Sequence, residues 1–328
     1  MKKSRISHII ALFLIAVSLS FNVGCRQNLL NDSVLENLGG NSSAEEVLPE
    51  NPDTPDIEPP EEDSSIPPTQ TPPTEQSPEQ KPEQLPEVDT PIEEEKPKED
   101  FTQGKEVLVR TLVGLNVRSA PNTASSILGV TDAGDCLPYL GREGAFYQTI
   151  YKNKKAYVSN NARYSALIYF KRANEGVESA ISVGQNLLGF PYVYGAQRLH
   201  YGGKKPVINS KFVFGEFDCS SLVQYMFYKS QGISLQVTTR LQYSDSVGKR
   251  LSFSKIERGD VLYFTNASRK NNVGIERIGH VAVYLGVGYD KNGNAICDYI
   301  LHTATDHAVI EPFSDLRKSY FEGGIRIV

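Results

Sequence analysis

From residue 105 onward, apolar positions alternate with polar ones in short runs. They read Val107-Leu108-Val109, Leu115-Asn116-Val117, Ile127-Leu128-Gly129-Val130, Phe146-Tyr147-Gln148-Thr149-Ile150 and Ala156-Tyr157-Val158. Gly134-Asp135, Gly141 and Gly144 supply turns between them. Short strands at close spacing, separated by turn residues, predict a small all-β barrel over 105–165. Near residue 174 the period changes. Val177, Ile181, Gly184 and Leu188 fall three or four residues apart, which predicts an amphipathic helix over 177–188, stopped by Gly189-Phe190-Pro191. A second helix is predicted over 219–230, with Asp218 as N-cap and Gly232 as its stop. Strand-like runs follow at 260–264, 280–285 and 295–301. The last two are joined through Asp290-Lys291-Asn292-Gly293-Asn294, and Asn292-Gly293 is a strong hairpin signal. Helices first and an antiparallel sheet afterwards predict an α+β domain over 174–328.

Composition separates a third region. Residues 41–100 hold nineteen Asp or Glu, three Lys and fourteen of the nineteen prolines, a net charge of −16. From 101 to 328, twenty-seven Lys or Arg stand against eighteen Asp or Glu, so that part carries +9. The stretch 26–104 is poor in aliphatics and rich in Pro and Glu, which predicts a disordered, self-repelling tether. At ~3.1 Å per residue, sixty such residues reach on the order of 180 Å.

The N-terminus sets the compartment. Lys2, Lys3 and Arg5 precede an apolar run at 9–19, of signal-peptide length and too short for a comfortable membrane span. It ends in Asn22-Val23-Gly24-Cys25, which resembles a bacterial lipobox. Residues 1–25 therefore read as a lipoprotein signal, with Cys25 as the lipidation site and a membrane anchor through its lipid. Asn22 departs from the aliphatic residue usual there, and an ordinary secretory signal is the alternative. Both imply export, which argues against a nucleic-acid partner and leaves an anionic wall polymer for the basic body.

Beyond Cys25 three cysteines remain, an odd number without disulfide-framework spacing. Cys136 and Cys297 lie in strand-like stretches and read as small buried hydrophobes. Cys219 directly follows the cap residue Asp218, where free N–H groups and the helix dipole favour a thiolate. A nucleophile also needs a base within reach and a third group to orient it. His280 heads a strand on the face shared with Ala282 and Tyr284, and His302 ends the next strand, where the hairpin can bring it alongside. The pattern alone leaves three readings: a structural thiol and histidines, a zinc site, or a nucleophile with its base. The close paired-ligand spacing of zinc motifs is missing.

Five ordered motifs bear on that choice: Gly-Phe-Pro-Tyr-Val-Tyr-Gly-Ala at 189–196, Phe-Asp-Cys-Ser-Ser-Leu-Val-Gln at 217–224, Gly-Asp-Val-Leu-Tyr-Phe at 259–264, Gly-His-Val-Ala-Val-Tyr-Leu-Gly at 279–286 and Tyr-Ile-Leu-His-Thr-Ala at 299–304. With them, 174–328 resembles the NlpC-type peptidoglycan cysteine peptidases, which have a papain-like fold. The string Leu-Asn-Val-Arg-Ser-Ala-Pro at 115–121 resembles bacterial SH3-type domains, which bind wall peptide or pack against a catalytic neighbour. The resemblance implies Cys219 as nucleophile, His280 as general base and His302 as the residue that orients it. It implies that the Tyr192 hydroxyl joins the Cys219 N–H in stabilising an oxyanion. Asp218 and Ser220 match positions that hold the free amino terminus of a stem peptide.

The implied reaction needs no metal or organic cofactor. Its substrates are peptidoglycan stem peptides or muropeptides, cut between γ-D-glutamate and the diamino acid, with preference for a free N-terminal L-Ala. The alternatives are a thiol amidase cutting another peptidoglycan bond and a silent wall-binding lipoprotein. Three departures stand out. Ser221 replaces the usual glycine and is expected to narrow the groove. A basic, aromatic insertion occupies 198–215, beside the cleft. The hairpin 286–297 lengthens the spacing between His280 and His302. His200, inside the insertion, and His307, past the strand end, are set aside.

Overall fold

The computed structural model describes residues 100–244, 248–304 and 306–328. The signal segment with Cys25, and the tether as far as residue 99, lie outside the described residues.

Eight short strands come first: β1 (Glu106–Thr111), β2 (Leu115–Arg118), β3 (Ile127–Thr131), β4 (Cys136–Pro138), β5 (Gly141–Glu143), β6 (Phe146–Tyr151), β7 (Lys154–Ser159) and β8 (Ser165–Phe170). The order β3-β2-β7-β6-β5 makes a five-stranded antiparallel sheet. Between β6 and β7 the chain turns through Lys152 and Asn153, both at positive φ (50° and 56°). That is the two-residue turn whose twist suits flanking strands.

Helices α1 (Glu175–Asn186), α2 (Cys219–Gln231) and α3 (Thr239–Ser244) follow. Then come β9 (Lys249–Leu251), β10 (Val261–Phe264), β11 (His280–Tyr289), β12 (Ala295–Ala304), β13 (His307–Pro312), α4 (Asp315–Ser319) and β14 (Phe321–Arg326). The helices begin and end where side chains satisfy their free backbone groups. The Asn174 side chain accepts from Val177 N at 3.0 Å and starts α1 ahead of the expected residue 177. Gly232, at φ 70°, ends α2 in the left-handed conformation that glycine adopts without strain.

The α+β arrangement is the one the period change predicts, with one addition. A nine-stranded sheet runs β4-β1-β8-β11-β10-β14-β9, with β12 on β11 and β13 on β12. Barrel strands therefore continue into the C-terminal sheet. Phe170 of β8 opposes Gly288 of β11, and Tyr169 opposes Tyr289. A Cβ on Gly288 would lie 2.4 Å from Ile168 and 2.9 Å from Tyr299, so this close approach requires glycine.

Four further contacts fix the barrel to the helices and strands that follow. Leu108, Ile168 and Phe170 share one core with Val283, Tyr299 and Leu301. Lys152 N and Asn153 N donate to Leu188 O and Asn186 O at 2.8 and 2.9 Å, docking the β6–β7 turn on the end of α1. Tyr151 lies against Gly129 and Gly189; a Cβ on Gly189 would come within 2.2 Å of its ring. Arg258 bridges Glu106 of β1 and Glu178 of α1, and all three side chains are nearly buried. Cys136 is buried as expected, whereas Cys297 is half-buried, and no disulfide joins them.

Candidate active site

Helix α2 begins with a reciprocal cap. Asp218 Oδ1 accepts from Ser221 N at 2.8 Å, and Ser221 Oγ accepts from Asp218 N at 2.9 Å. The side chain expected to narrow a groove thus completes the helix start instead. Cys219 is the first helical residue and only 8% exposed. It faces the head of β11: the backbone N–H groups of Val281 and Ser220 point at its sulfur, and Thr239 Oγ1 is 3.7 Å away. Burial, and then the Asp218 carboxylate, push the thiol up to about 11. The thiolate expected from the helix dipole is outweighed, and Cys219 rests as a thiol.

The β10–β11–β12 register places the two histidines together. His280 Nε2 lies 2.9 Å from His302 Nδ1, with the rings at 80°. The contact engages His280 through Nε2, so Nδ1 is the ring nitrogen not taken up by His302. His302 is fully buried, and its Nε2 sits 2.8 Å from Glu311 Oε1 on β13; Arg317 Nε of α4 meets the same oxygen at 3.0 Å. Burial first, then His302 and Arg317, hold His280 well below the usual histidine range. Burial and Arg317 likewise lower His302, against Glu311. Burial alone would raise Glu311, but Arg317 and His302 bring it down to about 2. Glu311 and Arg317 were missed in the sequence. The signal was the alternation of His307-Ala-Val-Ile-Glu-Pro, with Ala308, Ile310 and Pro312 buried.

Tyr192 stands half-buried on the stretch after α1, where its N–H donates to Asp306 O at 2.7 Å. It pairs with Phe217 in a parallel bridge, which sets it beside Asp218. Burial, then the charges of Cys219 and Asp218, raise its phenol, so it remains an O–H donor. Asp218 and Ser220 are joined by a residue the sequence did not single out. Arg198, at the start of the insertion, puts Nη2 2.6 Å from Asp218 Oδ2 and 3.0 Å from Ser220 Oγ, and Nε 2.6 Å from Val237 O. Ser220 Oγ also donates to Asp218 Oδ1 at 2.9 Å.

The insertion therefore lies against the start of α2. Its Phe212 and Phe214 pack on Phe217 and Tyr225. A cavity of about 340 Å³ lies between Phe190, Phe214 and the Tyr151–Lys154 hairpin of the barrel. His200 is fully buried, accepts from Gly202 N through Nδ1 at 3.0 Å and packs on Tyr228, a structural role. His307 begins β13 and pairs with Asp306 at 2.9 Å. His280 and His302 turn their nitrogens on each other rather than on a shared ion, and among the described residues no group of three His, Cys, Asp or Glu is placed to hold a metal.

Residues 189–323 match the NlpC/P60 family, and residues 113–164 match the bacterial SH3 domain. The chain carries an NlpC/P60 domain. That domain spans Tyr192, Cys219, His280, His302 and Glu311. Over 108 residues the chain is 31% identical to the Gamma-DL-glutamyl hydrolase of Bacillus subtilis, covering 33% of this chain and 21% of that one. Over 133 residues it is 31% identical to the Peptidoglycan DL-endopeptidase CwlO of Bacillus licheniformis, covering 40% of this chain and 25% of the relative. The chain thus spans about a fifth to a quarter of the length of these curated relatives. An NlpC/P60 family protein from Bacillus cereus, of known structure, is similar at 19% identity with a TM-score of 0.33, over 68% of this chain and 63% of that chain.

Proposed function

We propose that this chain is an exported peptidoglycan hydrolase, a cysteine peptidase held at the membrane by a lipid on Cys25 and acting in the cell envelope. Its proposed cut separates γ-D-glutamate from the diamino acid of the stem peptide. One arrangement carries the reading: a thiol at the capped end of α2, facing the head of β11, where His280 is hydrogen-bonded to His302. The names of the two curated relatives, one a γ-DL-glutamyl hydrolase and one a DL-endopeptidase, favour this bond.

The chemistry follows from the protonation states. Cys219 gives its proton to His280 as the sulfur attacks the γ-carbonyl, and the thiol–imidazole pair becomes ionic only as the bond forms. The Cys219 N–H and the Tyr192 hydroxyl receive the developing oxyanion. The His280 imidazolium then protonates the leaving amine, and water, deprotonated by His280, hydrolyses the thioester. In this reading the tether sets the reach of the catalytic head into the wall.

The finer preference, for a free L-Ala amino terminus held by Asp218 and Ser220, meets an obstacle. Both Asp218 oxygens are already engaged, by Arg198 on one side and by Ser220 and Ser221 on the other. A substrate ammonium must displace the Arg198 guanidinium, whereas an acylated amino end need not. Mass spectrometry of digests of L-Ala-γ-D-Glu-diamino acid stems, with free or acetylated amino termini, tests both points. Release of the L-Ala-γ-D-Glu dipeptide supports the bond. Release of free L-Ala would move the cut elsewhere.

A further inference from the structure

Protons in the chain of contacts behind His280 can be assigned from one end. Glu311 accepts from Arg317 Nε and stays ionised, so it can only accept from His302 Nε2. The proton on His302 is therefore on Nε2, and its Nδ1 carries a lone pair. Across the 2.9 Å contact that lone pair must receive the Nε2 proton of His280. The tautomer left on His280 has its free lone pair on Nδ1, at the head of the strand whose Val281 N–H lies by the Cys219 sulfur. Each step uses a neutral imidazole as both donor and acceptor, and a carboxylate that is acceptor-only at the far end sets the direction.

We infer that Glu311, oriented by Arg317, is a positioning residue that sets the tautomers of His302 and His280 and so aims the base at Cys219. The assignment rests on the proposed reaction only for its kinetic consequence; the tautomers themselves exist without substrate. Without a fixed acceptor behind it, His302 can carry its proton on Nδ1 and point it at His280. His280 must then hold its own proton on Nδ1, which blocks the thiol. The other ionisable groups facing this chain are His307 on the same strand and, from the barrel, Asp135, which burial holds up to about 8. β4 contacts β13, and a Cβ on Gly134 would come within 3.0 Å of Pro312, so the barrel backs the strand that carries Glu311.

Nitrogen-15 NMR of histidine-labelled full chain tests the inference, alongside kinetics of the same samples. In the wild type, above the titration of both rings, His280 and His302 should each show Nε2 protonated and Nδ1 bare. Glu311→Gln, whose amide can accept or donate, should give His302 a mixture of tautomers. Its kcat should fall roughly 100-fold, the scale of a lost general base, with KM little changed. It should also move the acid limb of the pH profile to lower pH, because Arg317 is then unbalanced. Arg317→Met should move that limb to higher pH, and Glu311→Asp should restore part of kcat. A purely structural Glu311 would lower the melting temperature and leave tautomers and limb unmoved, and would overturn the inference. So would an Nδ1-protonated His302 in the wild type. A wild type with the assigned tautomers that cleaves no peptidoglycan would refute the proposed reaction instead.

Discussion

Replacing Arg258 by Met should loosen the barrel from the helices and strands it leans on. The Arg258 side chain is 6% exposed and faces Glu178 (8%) and Glu106 (13%). Its Nε and Nη2 bond Glu178 at 2.8 and 2.9 Å, Nη2 also reaches Glu106, and Nη1 donates to Leu285 O at 2.8 Å. Methionine fills a similar volume but leaves two carboxylates unpaired side by side. Removing one partner from a buried ion pair costs about 3–5 kcal/mol. For a folded part of this size, at about 2–4 °C per kcal/mol, the melting temperature should drop by about 6–20 °C.

The pH dependence gives the sign. Burial would raise Glu178, yet the hydrogen bonds and charge of Arg258 leave it lowered. A lowered carboxylate contributes stability above its unfolded pKa and loses it as pH falls through its folded pKa. In Arg258→Met, Glu178 loses the partner that lowers it while its burial remains, so its folded pKa rises. The deficit should be full at neutral pH and shrink toward the ordinary glutamate value of about 4.3. Calorimetric melts of both proteins at the two pH values measure this. A drop under about 2 °C at neutral pH, or one equal at both, would refute the reasoning.

Other consequences are simpler to read. Because burial, His302 and Arg317 depress His280, kcat/KM should hold its plateau at neutral pH and fall only below the usual histidine value of about 6.5; an acid limb centred above that contradicts the assignment. Tyr192→Phe should lower kcat about 100- to 1000-fold with the fold intact, and an unchanged kcat would remove Tyr192 from the oxyanion site. Gly189→Ala drives a methyl into the Tyr151 ring at φ +82° and should cost about 1–3 kcal/mol of stability in thermal melts. An equal melting temperature would mean that Tyr151 is not pinned there.

What the sequence made legible is local. Asp218 and Gly232 bracket α2 because caps are written in adjacent residues, and the period change at residue 174 marks where strands give way to helices. Asn292-Gly293 announced the hairpin that brings His302 to His280. What was hidden depends on partners far along the chain. Nothing near β8 tells it to pair with β11, and nothing near Arg258 names Glu106 or Glu178. Strand β13 does alternate, but it is six residues long and follows directly on a strand already assigned, so Glu311 went unnoticed. The thiolate expectation failed for a related reason: the helix end is visible in sequence, while the burial that opposes it is not.

The most direct test of the proposed hydrolase is the release of new amino groups from purified peptidoglycan by the full chain, run beside Cys219→Ala. Cys219 is 8% exposed, and alanine removes only the weak sulfur contacts with Thr239 and two backbone N–H groups, so the variant should fold and melt close to the wild type. The account predicts steady release by the wild type and none above background by the variant. Equal release by both would remove Cys219 as nucleophile, and no release by either, with stems of every length supplied, would contradict the hydrolase reading itself.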